Sequence, residues 1–412
     1  MPIFLYISLH KLYNRLRVTQ LHNTIWRCTI LRKVLAILSL IAVVLAAGAA
    51  FAAEPIKIGY LAALTGDFAQ YGITEVNMAK LVVDDVNAQG GVLGRPIELI
   101  PYDTKTRNED AVNAVRRMIE SDGVCAIVGA NSSGINIATA PIVAKGQVPQ
   151  ISTVGTNPYV TVDNKGNVRP YSFRICFTDP YQGALAADLA YNDLHKTKAA
   201  ILYNVGSDYA QGLREFFIDS YEKLGGKIVA DEGFRETDVD FRAQLTKIKN
   251  SGADVMLLPG MGKDMALAIK QAQELGLDLT IIGGDGYAEF MNEIAGPAMK
   301  GTYWVNHTYL DDPGMAPIFA RYKEVYNDDC KEFVNGTMAY DGMYWLIDAI
   351  KRAGKAEGPA IAKALEETKG LKLHHATLTI DPATHNPVNK AGIILKVGDD
   401  LKTDFYKKVE PK

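Results

Sequence analysis

Cysteine is scarce in this chain, four among 412 residues, and no two form a CxxC pair. That excludes a disulfide-built scaffold and leaves neither a zinc knuckle nor a redox motif. An excess of positive charge is also missing. The 44 Lys and Arg stand against 47 Asp and Glu, a net charge of −3, so there is no electrostatic footprint for nucleic acid. Catalytic motifs are absent as well: the chain has no GxSxG elbow, no GxxxxGKS/T phosphate loop and no HExxH. His374-His375 reads as strand, where neighbouring side chains point to opposite faces, and GGVLG at 90–94 is a helix stop rather than a dinucleotide fingerprint. No cofactor and no metal are therefore expected. With 48% apolar and 22% charged residues the chain is neither disordered nor collagen-like, and its length allows two or three domains.

One long apolar run stands out, VLAILSLIAVVLAAGAAFAA at 34–53. Before it lie Lys11, Arg15, Arg17, Arg27, Arg32 and Lys33 with no Asp or Glu, and it ends in Ala50-Phe51-Ala52. Basic segment, apolar core and A-x-A ending make residues 1–52 a secretory signal peptide cleaved between Ala52 and Ala53; the rival is an uncleaved membrane anchor. The basic stretch is long for a leader, which points to translation starting near Leu31 or Val34. Cys28 precedes the apolar run and cannot carry a lipoprotein anchor. Removing the leader takes six basic residues and leaves 38 against 47 acidic ones, so the expected exported protein has 360 residues and a charge of −9. Cys125, Cys176 and Cys330 remain and are expected to be unpaired, with Cys125 in a buried strand.

Past the leader, short β-branched runs alternate with helical patterns. IKIGYLA, IELIPYD and VCAIV read as strands, each followed by apolar residues at helical spacing; Thr106 and Glu109 stand at capping-box spacing before one of these helices. The alternation restarts near residue 199 with AAILYN, KIVAD, DVMLL, TIIGG and TYWVNH. This predicts an α/β protein with two mainly parallel sheets, divided by the polar, turn-rich segment near 155–180. Beyond residue 310 come three helices, at 316–329, 338–353 and 359–369, then strands ATLTI and AGIILKV. Two strands cannot build a third domain of this kind, so the segment completes the earlier sheets and the chain crosses between lobes more than once.

Ligands in open parallel sheets bind beyond the carboxyl ends of strands, where loops meet helix N-termini. GANSSG at 129–134 places Ser132 and Ser133 where hydroxyls and free N–H groups favour an anion, although ordinary N-capping accounts for them equally. STVGTNP sets Thr153, Thr156 and Asn157 at the same edge, again with turn chemistry as the plain alternative. Asp285 in IIGGDGY is suited to an ammonium group or to a turn. Tyr71 and Tyr209 each open the first helix of their half, as cleft walls or as packing residues.

IGYLAALTGDFAQYG, LVVDDVNAQGGVLGRPIELIPYD, IVGANSSG, PQISTVGTNP, ADVMLLPG, GGDGY and AYDGMYWLIDAIKRAG, in this order over residues 54–412, resemble the leucine/isoleucine/valine-binding protein family of branched-chain amino-acid ABC transporters. The resemblance implies a two-lobed type I periplasmic-binding fold with three hinge crossovers near residues 177, 307 and 387. The N-terminal lobe would comprise 53–176 plus 308–386, and the C-terminal lobe 177–307 plus 387–412. It implies that Ser133 and Thr156 hold a ligand carboxylate through side chain and backbone N–H, that the Val154 carbonyl and Asp285 hold an ammonium, and that Tyr71 and Tyr209 wall the cleft; Ser132, beside Ser133, is a further ligand-binding candidate. The expected protein is a monomeric periplasmic carrier that delivers an apolar amino acid to membrane permease subunits. Two departures stand out: Asp285 occupies a position where family members use Glu, and Met261-Gly262 follows ADVMLLPG where an aromatic is common. The alternatives are the same fold binding a short amide, urea or aromatic acid, and an exported sensor or cleft enzyme.

Overall fold

The computed structural model describes residues 54–388 and 390–411. The signal-peptide reading of residues 1–52 and Cys28 lie outside these. Among the described residues no helix is long and apolar enough to cross a membrane.

Five parallel strands form the first sheet: β1 (Ile56–Ala62), β2 (Ile97–Asp103), β3 (Ala126–Gly129), β4 (Gln150–Ser152) and β5 (Ser172–Arg174), in the order β2-β1-β3-β4-β5. Side chains such as Ile58, Tyr60 and Val128 on one face and Leu61 and Ile127 on the other are buried, as a sheet covered by crossover helices requires. The second sheet contains β6 (Lys198–Asn204), β7 (Lys227–Phe234), β8 (Val255–Leu258), β9 (Thr280–Gly283) and β10 (Tyr303–Asn306), all parallel. Two antiparallel strands, β11 (Gly392–Val397) and β12 (Thr403–Val409), extend it to the order β12-β11-β10-β9-β8-β6-β7.

The chain passes between the sheets three times, through 175–178, 307–315 and the described residues 388 and 390–391. After the second passage the long helix Phe333–Ala353 packs on Ala69–Ala88, and Gly358–Glu366 packs on it in turn. The helix Phe333–Ala353 is buried almost all round, from Phe333 and Met338 to Trp345 and Ile350, so it acts as a core element and not as a surface amphipathic one. The molecule is thus a two-lobed α/β fold, each lobe a mainly parallel sheet flanked by helices, with three crossovers.

Several local expectations differ from the structure. The segment ATLTI does not join either main sheet. Thr377–Leu378 pairs with Leu371–Lys372 and Ile380–Asp381 with Asn386–Pro387, while Leu378 and Ile380 are buried and the Ile380 N–H donates to the Thr368 carbonyl at 3.0 Å. β5 lies inside the segment read as a break, and β12 carries no strand expectation, because Asp404, Lys407 and Lys408 interrupt the apolar alternation of this edge strand. The Thr106/Glu109 capping box does not form: the helix is Asn108–Arg117, Thr106 has φ 62°, and its Oγ1 accepts from the Phe68 N–H at 3.4 Å instead. Cys125, Cys176 and Cys330 are unpaired, with Cys125 half-buried just ahead of β3.

Candidate functional site

The carboxyl ends of both sheets face one cavity of about 320 Å³. That volume suits a small molecule. The lobes meet around it. Asn157 Nδ2 donates to the Asp208 carbonyl at 2.8 Å, the Tyr71 hydroxyl to the Gly286 carbonyl at 2.7 Å, and the Glu289 N–H to the Lys331 carbonyl at 3.1 Å. The cleft is therefore closed.

On the first lobe, the loop after β3 leads into the helix Ser133–Gly146, whose first N–H groups have no intrahelical acceptor. Asn136 shapes this loop, its Nδ2 donating to the Ala130 and Ser132 carbonyls at 2.9 and 2.8 Å. Ser132, at the N-cap position, makes no side-chain capping bond, so its hydroxyl remains available at the cavity wall. Ser133 is buried there and its Oγ accepts from the Asn157 N–H at 3.2 Å, which leaves its O–H proton free to donate. Asn131 lines the same wall, 1% exposed, with neither amide atom bonded to protein. Together these groups make a donor-rich end at a positive helix terminus.

Val154 completes this wall. The adjoining loop is fixed by a fully buried Arg174, whose Nη1 donates to the Gly155 carbonyl at 2.7 Å and whose Nη2 donates to the Asn157 carbonyl at 2.8 Å. Thr156 does not reach the cavity lining; it is buried behind it, its carbonyl accepting from the Asp179 N–H at 2.9 Å and its hydroxyl without a hydrogen bond. Tyr71 likewise sits beside the lining, wedged edge-on against Phe290 with ring centroids 5.7 Å apart.

On the second lobe, Asp285 follows β9 and is 5% exposed at the cavity wall. Gln182 Nε2 donates to its Oδ1 at 2.9 Å, and His307 Nε2 lies 3.0 Å from its Oδ2. Burial pushes His307 down to about 4, against the opposing pull of Asp285, so near neutral pH the imidazole is uncharged and donates from Nε2. Among the described residues no Lys or Arg pairs with Asp285, so its charge meets only neutral donors. The Tyr209 hydroxyl stands close to Asp285 without a protein partner; burial first, then Asp285 and Asp179, hold this phenol well above its usual range. Glycine flanks the carboxylate for a steric reason. A Cβ on Gly284 would lie 2.2 Å from the Tyr209 hydroxyl, and one on Gly286 would lie 2.0 Å from the Gly260 carbonyl.

Between these ends, Phe68, Phe234 and Met261 give the cavity an apolar span. Its outer part is polar, with Arg107, Glu236 and Asp264; burial and neighbouring acids raise Asp264 to about 6. Under the floor, Asn335 and Thr153 donate to Glu75 Oε1 at 2.9 and 3.0 Å, and burial raises this fully enclosed carboxyl to about 8.

The structure thus brings Ser132, Ser133, Val154, Tyr209 and Asp285 to one cavity, and sets Tyr71 and Thr156 just behind it. Asn335 in the lining and Gln182 and His307, which hold Asp285 from behind, carried no site motif, while Asn131 stands inside GANSSG but was not singled out; Gln182 is 103 positions from the Asp285 it holds. His374 and His375 each pair with a different acid, Asp341 and Asp312, and among the described residues no His, Cys, Asp and Glu group could hold a metal ion.

A family model described as periplasmic binding protein matches residues 55–400. Leu/Ile/Val-binding protein homolog 2 of Brucella abortus (strain 2308) is 29% identical over 373 residues, covering 90% of this chain and 97% of its own. The solved leucine binding protein LivK of Thermotoga maritima is 30% identical with a TM-score of 0.80, covering 86% of this chain and 99% of that one. The substrate-binding protein LivJ of Streptococcus pneumoniae, solved with isoleucine, is 29% identical with a TM-score of 0.79 over 87% of this chain and all of its own. A solute-binding protein of Rhodopseudomonas palustris solved with 3,4-dihydroxybenzoic acid, 23% identical with a TM-score of 0.77 over 87% of this chain and 98% of its own, shares the fold. Family match and two-lobed architecture agree: this chain belongs to the periplasmic binding protein family, among the Leu/Ile/Val-binding proteins.

Proposed function

We propose that this protein captures an α-amino acid with an apolar side chain in its interlobe cleft and, once closed, presents it to the permease subunits of an ABC transporter. The observation that carries this reading is the opposed chemistry of one cavity. Unpaired donors at Ser132 and Ser133 open a helix N-terminus on one lobe, and the anionic Asp285 stands on the other. A zwitterion satisfies both ends at once, while the span of Phe68, Phe234 and Met261 receives an apolar side chain. Among the described residues no Lys or Arg pairs with Asp285, whose partner His307 is neutral, and an uncompensated buried charge costs several kcal/mol. An ammonium group removes that cost.

Closure follows from the placement of the two ends. The carboxylate docks on donors already organised in the first lobe; Asp285 and Tyr209 reach the ligand only when the lobes meet. Ligand therefore stabilises the closed state, because only that state makes both sets of contacts. In this reading the protein is a monomeric carrier and not a catalyst, exported to the periplasm by the basic, apolar leader at 1–52.

A thermal-shift screen of the protein against the twenty amino acids, short amides, urea and benzoates tests the assignment. At 100 times the dissociation constant a ligand adds about 2.7 kcal/mol, a readable shift. Shifts confined to apolar amino acids are expected. Shifts with amides or benzoates and none with any amino acid would replace this function with one of the alternatives.

A further inference from the structure

The Asp285 carboxylate is held from behind by two side chains of the crossover region, Gln182 and His307. We infer that His307 is a positioning residue for the ligand's ammonium group, fixing Asp285 in the cleft and tying it to the hinge. This inference rests on the amino-acid reading above.

Three observations carry it. The first is geometric. Asp285 is gripped at both oxygens, by Gln182 Nε2 at 2.9 Å and by His307 Nε2 at 3.0 Å, so its carboxylate has one orientation. Both grips come from the crossovers: Gln182 lies one turn into the helix that follows the first passage, and His307 is the first residue of the second.

The second is packing at the hinge. The His307 ring lies against Phe177 of the first passage, with centroids 3.8 Å apart and planes tilted by 35°. Lys390 of the third passage donates from Nζ to the Ile175 carbonyl at 2.8 Å, binding the first passage to the third. His307 is fully buried in this cluster, so a rotation of the passages moves the imidazole, and the imidazole moves with the carboxylate it holds.

The third is charge. The imidazole donates a hydrogen bond without bringing a positive charge, so the anion is oriented but not neutralised. A Lys or Arg at the same place would form an ion pair with Asp285 and remove the need for an ammonium. A neutral donor leaves that need intact, which makes His307 a determinant of selectivity for aminated over deaminated ligands.

The test compares L-leucine with 4-methylpentanoate, and L-phenylalanine with 3-phenylpropanoate, by isothermal titration of the wild type, His307→Phe and His307→Gln. Phe retains a ring against Phe177 and loses the donor; Gln retains a donor. The wild type should prefer the amino acid of a pair by at least ~100-fold. His307→Phe should cut that preference by ~10-fold or more, the worth of a hydrogen bond to a charged group, and His307→Gln should restore most of it. An unchanged preference in His307→Phe, or an equal loss for both members of each pair, would overturn the inference while leaving the amino-acid reading in place. A wild type that binds neither amino acid overturns that reading and this inference with it. Should His307→Phe fail to fold, proton NMR of the wild type decides: L-leucine must shift the His307 Nε2–H resonance and 4-methylpentanoate must not, and equal responses contradict the role.

Discussion

The Tyr71 hydroxyl donates to the carbonyl of Gly286 at 2.7 Å, joining the first helix of one lobe to the loop that carries Asp285 on the other, 215 positions along the chain. The bond exists only when the cleft is shut, so it counts toward the closed state alone. Tyr71→Phe should raise the dissociation constant for an amino acid by about 5-fold, near 1 kcal/mol, mainly through faster release. Stopped-flow dissociation with and without the substitution checks this; an unchanged off-rate would remove Tyr71 from the closing contacts.

Ser133 serves both the scaffold and the ligand end, since its Oγ accepts from the Asn157 N–H and its proton points to no protein acceptor. Ser133→Ala should weaken amino-acid binding by roughly 10-fold and lower the melting temperature slightly, as the buried Asn157 N–H loses its acceptor. Titration calorimetry and thermal melts separate the two effects.

Steric room at Gly284 is a sharper requirement. An added Cβ would meet the Tyr209 hydroxyl at 2.2 Å, so Gly284→Ala must displace either the phenol or the loop that aims Asp285. Binding should fall far more than stability. Loss of affinity together with a nearly unchanged melt is the expected pair of results.

Stability should depend on pH through Glu75 and His307 with opposite signs. Glu75 is raised to about 8 in the folded protein, so it binds a proton there that the unfolded chain has released; its contribution is full below about 4.5 and is lost as pH rises toward 8. His307 is lowered to about 4, so the unfolded chain takes up its proton first and stability is lost as pH falls from 6.5 toward 4. Glu75→Gln should therefore leave stability near pH 5 little changed and flatten its decline between pH 6 and 8. Denaturant titrations across this range measure it, and an unaltered alkaline slope would mean that Glu75 is not the group responsible.

The parallel sheets were legible because their strands are short apolar runs followed by helices at regular spacing, as in IKIGYLA and DVMLL. Their strand-end loops were legible for the same reason, which is how Ser132, Ser133 and Asp285 could be singled out before the cleft was known. Gln182 and His307 were not. Gln182 carries no motif, and His307 is marked in sequence only as a strand end and crossover position; each matters because folding brings the crossovers behind Asp285. Tyr71 and Thr156 show the reverse: their motifs placed them at the cleft, but whether a side chain lines a cavity or backs its wall is decided by packing across lobes, to which a local pattern is blind. The edge strand Thr403–Val409 escaped notice because Lys and Asp protect such edges and erase the apolar alternation.

The central claim is that an α-amino acid bridges the donor end at Ser133 and the carboxylate of Asp285. Isothermal titration of the wild type and Asp285→Asn with L-leucine, L-isoleucine and L-valine tests it most directly. The account predicts saturable one-to-one binding to the wild type and a loss of roughly 100-fold or more in Asp285→Asn, whose side chain is nearly isosteric but uncharged. Equal affinity of both proteins for these amino acids, or no binding to the wild type, would contradict it.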